Sequence, residues 1–301
     1  YSSVDLVKSG VYAYACAPDF EILLFAYAFD EEPVEVVDIS GGEKLPKEVI
    51  SAIFEEGITK TAFNAQFERV CLSRYFNTHL KPVSWLCTAA QSAMLGLPHS
   101  LEDAGKVIGL EQQKMKEGKE LIRLFCRPNK YNKRNEAKQF PDKWELFKEY
   151  CKRDVEAERA IRLRLADYPL SEKERKLYSL DQNINDRGIN VDMTLVNNAI
   201  ICDNQNSQRV LEQAQRITGL ENPNSVAQLK QWLYENGVEI ESLSKKNVSQ
   251  LISETNGNIE TLLKLRLQLA KTSVKKYEAI TRSICPDGRV RGLLQFYGAN
   301  R

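Results

Sequence analysis

Apolar and polar positions divide the chain into two textures. Glu21 to Asp30 (EILLFAYAFD) is an apolar run of strand length, and Val34 to Ile39 (VEVVDI) alternates as a hairpin partner would. Leu45 to Glu56 places Val49, Ile50 and Ile53 at helical spacing with Pro46 in the first turn, which predicts a helix. Thr59 to Asn64 reads as a short strand and Phe67 to Phe76 as a helix. Trp85 to Cys126 reads as mostly helical, broken at Gly96-Leu97-Pro98 and reopened by Ser100 three residues before Asp103. Arg127 to Asp142, polar and holding three asparagines, is expected to be a flexible loop. Lys143 to Leu165 predicts one long helix carrying Trp144, Phe147, Tyr150, Cys151, Val155 and Ile161.

Beyond about residue 166 strand-like runs nearly vanish. Helices are expected at 171–187, opened by the capping box Ser171-x-x-Glu174, and at 193–218, 225–236, 244–254 and 258–283. Asn222-Pro223-Asn224-Ser225 interrupts this region, with Gln228 in capping-box position. Pro286-Asp287-Gly288 is a turn, and Arg289 to Tyr297 reads as a strand leaving it. The expected fold class is α/β over 1–165, followed by a mainly α-helical region over 166–301, with no internal repeat.

Composition adds limits to this picture. A chain of 301 residues, 43% hydrophobic, is long enough for two cores. Its 42 basic and 41 acidic residues exclude a uniformly basic nucleic-acid coat and a uniformly acidic tail, but not a local basic patch. Residues 1–165 hold 24 basic and 25 acidic side chains, and 166–301 hold 18 and 16. Within the second part, Leu262 to Arg282 carries six basic residues and one acid. Seven cysteines without a C-x-x-C pair, and only two histidines, read as free thiols in a reducing cytosol. No apolar run approaches the ~18 residues of a membrane helix, and no signal peptide opens the chain. The start lacks Met and the end runs out in mid-pattern, so an excised fragment is expected.

Three constellations carry candidate chemistry. In Phe63-Asn64-Ala65-Gln66-Phe67-Glu68 a strand ends in asparagine and a helix opens with an acid in its first turns. Such an acid is ordinarily a surface group complementing the helix dipole, but it can also hold a metal-bound water. In Tyr150-Cys151-Lys152-Arg153-Asp154 a phenol and a carboxylate four apart share one helix face. The carboxylate suits an oxygen-preferring Mg²⁺, and the phenol can orient a water; a core tyrosine beside a charged helix rim is the commoner case. Third, Lys271, Lys275 and Lys276 cluster one turn apart, with Thr272 and Ser273 adding hydroxyl donors. That set suits phosphate contacts that do not read sequence, although charge runs are often only solvated faces.

The first two constellations together resemble the second and third motifs of the DEDD exonucleases, and the tyrosine resembles the subtype in the editing domain of family-A DNA polymerases. The resemblance implies an RNase H-like exonuclease domain over 1–165. It also implies two divalent metals, Mg²⁺ or Mn²⁺, acting on the 3′ end of a DNA strand. By the same resemblance Asp154 is a direct metal ligand and Glu68 holds the second metal through water. Tyr150 positions the nucleophilic water, and Asn64 supports the terminal nucleotide. Glu68 departs from the Asp of many members. The family's first motif, an Asp-x-Glu pair that by the same resemblance supplies the principal metal ligands, precedes a Tyr-Ser-Ser segment like Tyr1-Ser2-Ser3, so the chain is expected to begin just after it and its two-metal site to be incomplete. Asp19-Phe20-Glu21 has the right letters but precedes a later strand, and is set aside.

Glu221 to Ser225 with Gln228-Leu229, then Ala270-Lys271-Thr272-Ser273-Val274-Lys275-Lys276-Tyr277, is similar to the thumb of family-A polymerases, nearest to phage-type members. Asp186 to Asp192 matches the link between editing domain and thumb, and Asp287 to Arg301 looks like the entry into the palm. The resemblance implies a thumb over 166–301 gripping primer–template duplex, with the palm and fingers beyond Arg301. It implies a monomer acting in the cytoplasm of a bacterial or phage-infected cell, with DNA as partner and no membrane. Two other readings stay open: a stand-alone ribonuclease resembling RNase D, and a catalytically inactive DNA-binding fragment.

Overall fold

The computed structural model describes residues 1–110, 117–270 and 274–298. The first elements are α1 (Leu6–Cys16), β1 (Phe25–Tyr27), β2 (Glu35–Val37), α2 (Lys47–Phe54), β3 (Lys60–Ala62) and α3 (Ala65–Tyr75). Next come β4 (Trp85–Cys87), α4 (Thr88–Met94), α5 (Leu101–Val107), α6 (Gly118–Phe125), α7 (Pro141–Arg164) and α8 (Glu172–Arg187). After these run β5 (Ile189–Asn190), α9 (Met193–Thr218), α10 (Val226–Glu235), α11 (Lys245–Glu254), α12 (Gly257–Leu269), α13 (Lys275–Ser283) and β6 (Arg289–Val290). The chain is thus mixed α/β in its first part and helical in its second. It forms two compact units, Tyr1–Val191 with the residues from Arg282 onward, and Asp192–Thr281.

In the first unit β1 pairs antiparallel with β2, Phe25 opposite Val37 and Tyr27 opposite Glu35, the hairpin that the alternation predicts. β3 runs parallel to β4, Lys60 opposite Trp85 and Ala62 opposite Cys87, with α3 as the crossover that a parallel pair requires. Trp85 to Cys87 is therefore strand rather than helix. Three residues are too few to display alternation, and pairing with β3 decides their state. The runs 21–30 and 289–297 are paired over only Phe25–Tyr27 and Arg289–Val290. The polar stretch after Arg127 is held by its asparagines: Asn129 Oδ1 accepts from the amides of Tyr131 and Lys133, and Asn135 Nδ2 donates to the Leu124 carbonyl.

Two apolar clusters position the site. Val49, Ile53, Ala65, Leu72, Trp85 and Cys87 gather α2 and α3 against the parallel strands. Tyr1, Leu23, Leu121, Phe125, Trp144, Phe147 and Tyr150 join α6 to α7. The Phe125 and Trp144 rings meet edge-on, centroids 4.8 Å apart, and Trp144 Nε1 donates to Asp38 Oδ2 at 2.7 Å. That bond fixes α7 against the end of β2.

α8 belongs to the first unit, so the change of texture near 166 and the division at Val191 do not coincide. Arg69 of α3 and Asp186 of α8 form a buried ion pair there, and Tyr178 of α8 is buried in the same cluster as Trp85 and Cys87. Ser171 and Glu174 form the expected capping box at the start of α8, and Ser100 caps α5 by accepting from the Asp103 amide.

The second unit buries Val210 and Ala214 of α9, Leu229 and Leu233 of α10, Val248 of α11, and Leu262, Leu263 and Leu265 of α12 in one core. Ser225 caps α10, but Gln228 reaches back to the Asn222 amide rather than to Ser225. The segment expected as one helix over 258–283 holds α12 and α13. The seven cysteines are free thiols.

Candidate active site

β3 hands the chain to α3 through Asn64, whose backbone lies in the left-handed region at φ +73 and ψ 51. Asparagine is among the few side chains that accept this conformation readily. Its carbonyl receives the Phe67 amide at 2.8 Å, while the side chain is exposed and makes no capping bond. One turn further, Glu68 points an oxygen out of contact with solvent: Oε2 is buried and has no hydrogen-bond partner. Burial pushes the Glu68 carboxyl up to about 8, with the charges of Glu158 and Asp154 adding to the shift.

α7 brings up Tyr150, Asp154 and Glu158 at successive i, i+4 positions, one above another on a single face. The Tyr150 ring is buried and stacked on Phe147, centroids 6.2 Å apart and planes at 8°. Its hydroxyl donates to Asp154. Burial first, and then the Asp154 charge, hold the phenol well above its ordinary range, so it keeps its proton. Glu158 is buried and its Oε1 accepts from Thr88 Oγ1 of α4 at 2.5 Å. Burial raises the Glu158 pKa, opposed by the Thr88 bond and by Arg162 and Arg159.

Of the expected residues, Tyr150 and Asp154 share a hydrogen bond, and the Asp154 charge adds to the upward shift of Glu68. Asn64 stands one turn before Glu68. Glu158 joins the cluster unforeseen. Its signal was the continuation of the Tyr150–Asp154 spacing by one more turn. Asp19 and Glu21 have other partners: Asp19 accepts from the Ser3 amide at 3.2 Å and its hydroxyl at 3.0 Å, and Glu21 pairs with Arg134 at 3.1 Å.

Among the described residues no group of three His, Cys, Asp or Glu side chains is arranged as a metal cage. Mg²⁺ commonly uses only one or two carboxylates and completes its shell with water and substrate phosphate. Asp154 and the orphaned oxygen of Glu68 fit that donor set in number and type.

Of the basic constellation, Lys271, Thr272 and Ser273 lie outside the described residues, and Lys275 and Lys276 are exposed at the start of α13. Nearby on α12, Lys264 pairs with Glu260 at 2.5 Å and Arg266 donates to Asn224, so these two cations are engaged within the unit.

The raised Glu68 carboxyl has a testable consequence. Unfolded, it ionises near the ordinary value of 4.5; folded, it keeps its proton to about 8. The native state therefore binds the extra proton between these values, and its stability falls as pH rises across that window. Glu68→Gln removes this slope. Urea unfolding should show the variant gaining about 2–3 kcal/mol on the parent between pH 5 and pH 8, given that Glu68 is only half-buried overall. Parallel pH profiles for the two proteins would contradict the assignment.

No protein-family model matches the chain. Along its whole length, over 308 aligned positions, it is 52% identical to a DNA polymerase of Bacillus phage SP02. The chain is similar to part of a phage DNA polymerase. It spans 48% of that phage DNA polymerase's length. Among the described residues no helix is long and apolar enough to cross a membrane.

Proposed function

We propose that residues 1–165, within the first unit, are an RNase H-like 3′→5′ exonuclease of the DEDD type, as in the editing domain of family-A DNA polymerases. Residues 166–301 are a helical thumb that grips primer–template duplex, with the start of the palm at their end, and the parent protein is a DNA-directed DNA polymerase with proofreading. It acts as a monomer in the cytoplasm of a bacterial or phage-infected cell. The observation that carries the reading is the unpartnered, buried oxygen of Glu68 in the field of Asp154, which itself receives the Tyr150 hydroxyl. A polar atom buried without a partner is costly unless a ligand satisfies it.

In this reading Asp154 and Glu68 hold Mg²⁺ or Mn²⁺, which when bound neutralises charge on the scissile phosphate and lowers the pKa of water. Tyr150, kept protonated by burial, offers a hydroxyl of fixed direction to orient the attacking water. Asn64, exposed at the strand end, can hydrogen-bond the terminal nucleotide. Glu158, tied to Thr88, holds the face of α7 against α4.

The test uses 5′-labelled single-stranded DNA and RNA with Mg²⁺ or Mn²⁺. Stepwise shortening from the 3′ end with DNA preferred is the expected result. Preference for RNA would instead favour the RNase D-like reading, and no cleavage would favour a DNA-binding role alone. For the thumb, replacing Lys275 and Lys276 together by alanine should weaken duplex binding. It should flatten the slope of log Kobs against log salt by up to about 2, one phosphate contact per lysine. An unchanged slope would return these lysines to an ordinary solvated face.

A further inference from the structure

Gly118 opens α6 with a backbone outside the positive-φ region, so no conformational need calls for glycine there. A helix gains nothing from glycine, which ranks below every residue but proline. The reason lies across the α6–α7 contact. A Cβ placed on Gly118 would lie 2.2 Å from Tyr150 Cε2, 2.6 Å from Cδ2 and 3.0 Å from Cζ. Atoms cannot approach so closely, so either the ring or the helix would have to move.

Neither is free to do so. Tyr150 is 4% exposed, lies parallel to Phe147 and is bonded through its hydroxyl to Asp154. α6 is anchored by Leu121 and Phe125, which are buried in the same cluster as Trp144 and Phe147. Gly105 of α5 makes a useful contrast. A Cβ there would meet only Leu110 Cδ1, at 3.8 Å, an ordinary contact.

We propose that Gly118 is a positioning residue for Tyr150: its missing side chain is the seat of the phenol ring and sets where the hydroxyl stands beside Asp154. This rests on Tyr150 being the water-orienting group, and extends that site to a residue with no polar side-chain atom. Small displacements of such a group are costly, because productive geometry is narrow.

The test is a double-mutant cycle on the whole chain, read by melting temperature and by cleavage of single-stranded DNA. Gly118→Ala should lower the melting temperature by about 4–8 °C when Tyr150 is present. In a Tyr150→Ala background, where the ring is gone, the same substitution should cost less than about 1 °C. Equal losses in both backgrounds overturn the seat. In kinetics Gly118→Ala should reduce kcat by about 100-fold with KM within about twofold, whereas Gly105→Ala changes neither. A raised KM at unchanged kcat overturns the positioning role. If the parent chain does not cleave DNA, the exonuclease reading fails and takes the catalytic part of the proposal with it, while the melting cycle still decides whether Gly118 seats Tyr150.

Discussion

Replacing Arg69 by alanine is expected to destabilise the first unit by about 3–5 kcal/mol, the usual cost of leaving a buried charge without its partner. Arg69 is 1% exposed, and its guanidinium donates from Nη1 to Asp186 Oδ2 at 2.7 Å and from Nη2 to Asp186 Oδ1 at 2.8 Å. Nη1 also donates to the Leu80 carbonyl at 2.9 Å and Nη2 to Gln182 Oε1 at 3.3 Å. Burial alone would lower the Arg69 pKa, but the hydrogen bonds and charge of Asp186 more than restore it, so the side chain stays ionised. Without the guanidinium, Asp186 keeps the Tyr12 hydroxyl at 2.6 Å and His79 Nε2 at 3.8 Å, which do not replace a bidentate cation. Arg69→Lys should recover little, because an ammonium cannot present the planar fork. Urea unfolding measures both variants. A loss below about 1 kcal/mol for Arg69→Ala would show that α8 is held by its apolar contacts instead.

That pair also shows where sequence reasoning stops. Arg69 and Asp186 are 117 residues apart, and hydrophobic periodicity reports only on neighbours within a few turns. The change from strand-bearing to helical texture near residue 166 was legible. The retention of α8 by the first unit was not. Local signals suffice for some elements: Ser100 and Ser171 start their helices through side-chain bonds that the sequence announces, and the hairpin of β1 and β2 follows from alternation and bounding turns. β4 escaped because three residues carry no period. In the candidate site, Tyr150 and Asp154 stand out in the sequence by their spacing and by their resemblance to a motif. Glu158 continues the same spacing, yet a third polar position on a helix looks like a solvated rim until burial is known. Gly118 has no local reason to be glycine. Its meaning resides in an aromatic ring on another helix.

On the proposed exonuclease reading, Asp154→Asn is expected to cut 3′-end hydrolysis by about 10²–10³-fold, the loss of a few kcal/mol of charge stabilisation in the transition state. The substitution nearly preserves shape, and an amide oxygen can still accept the Tyr150 hydroxyl, so the packing around α7 should survive. What disappears is the charge. Asp154 and Glu158 both raise the Glu68 carboxyl, after burial, and a divalent cation relieves that crowding of like charges. The parent chain should therefore melt at a higher temperature in Mg²⁺ than in chelator, and Asp154→Asn should lose that increment, since ligands that bind only the folded state stabilise it. Tyr150→Phe makes the comparison specific. It removes one hydroxyl and no charge, so it should keep the Mg²⁺-dependent rise in melting temperature while its cleavage rate falls. Single-stranded DNA binding in chelator should be unchanged in both variants. If Asp154→Asn cleaves at the parent rate and Mg²⁺ raises both melting temperatures equally, Asp154 has no part in holding the ion.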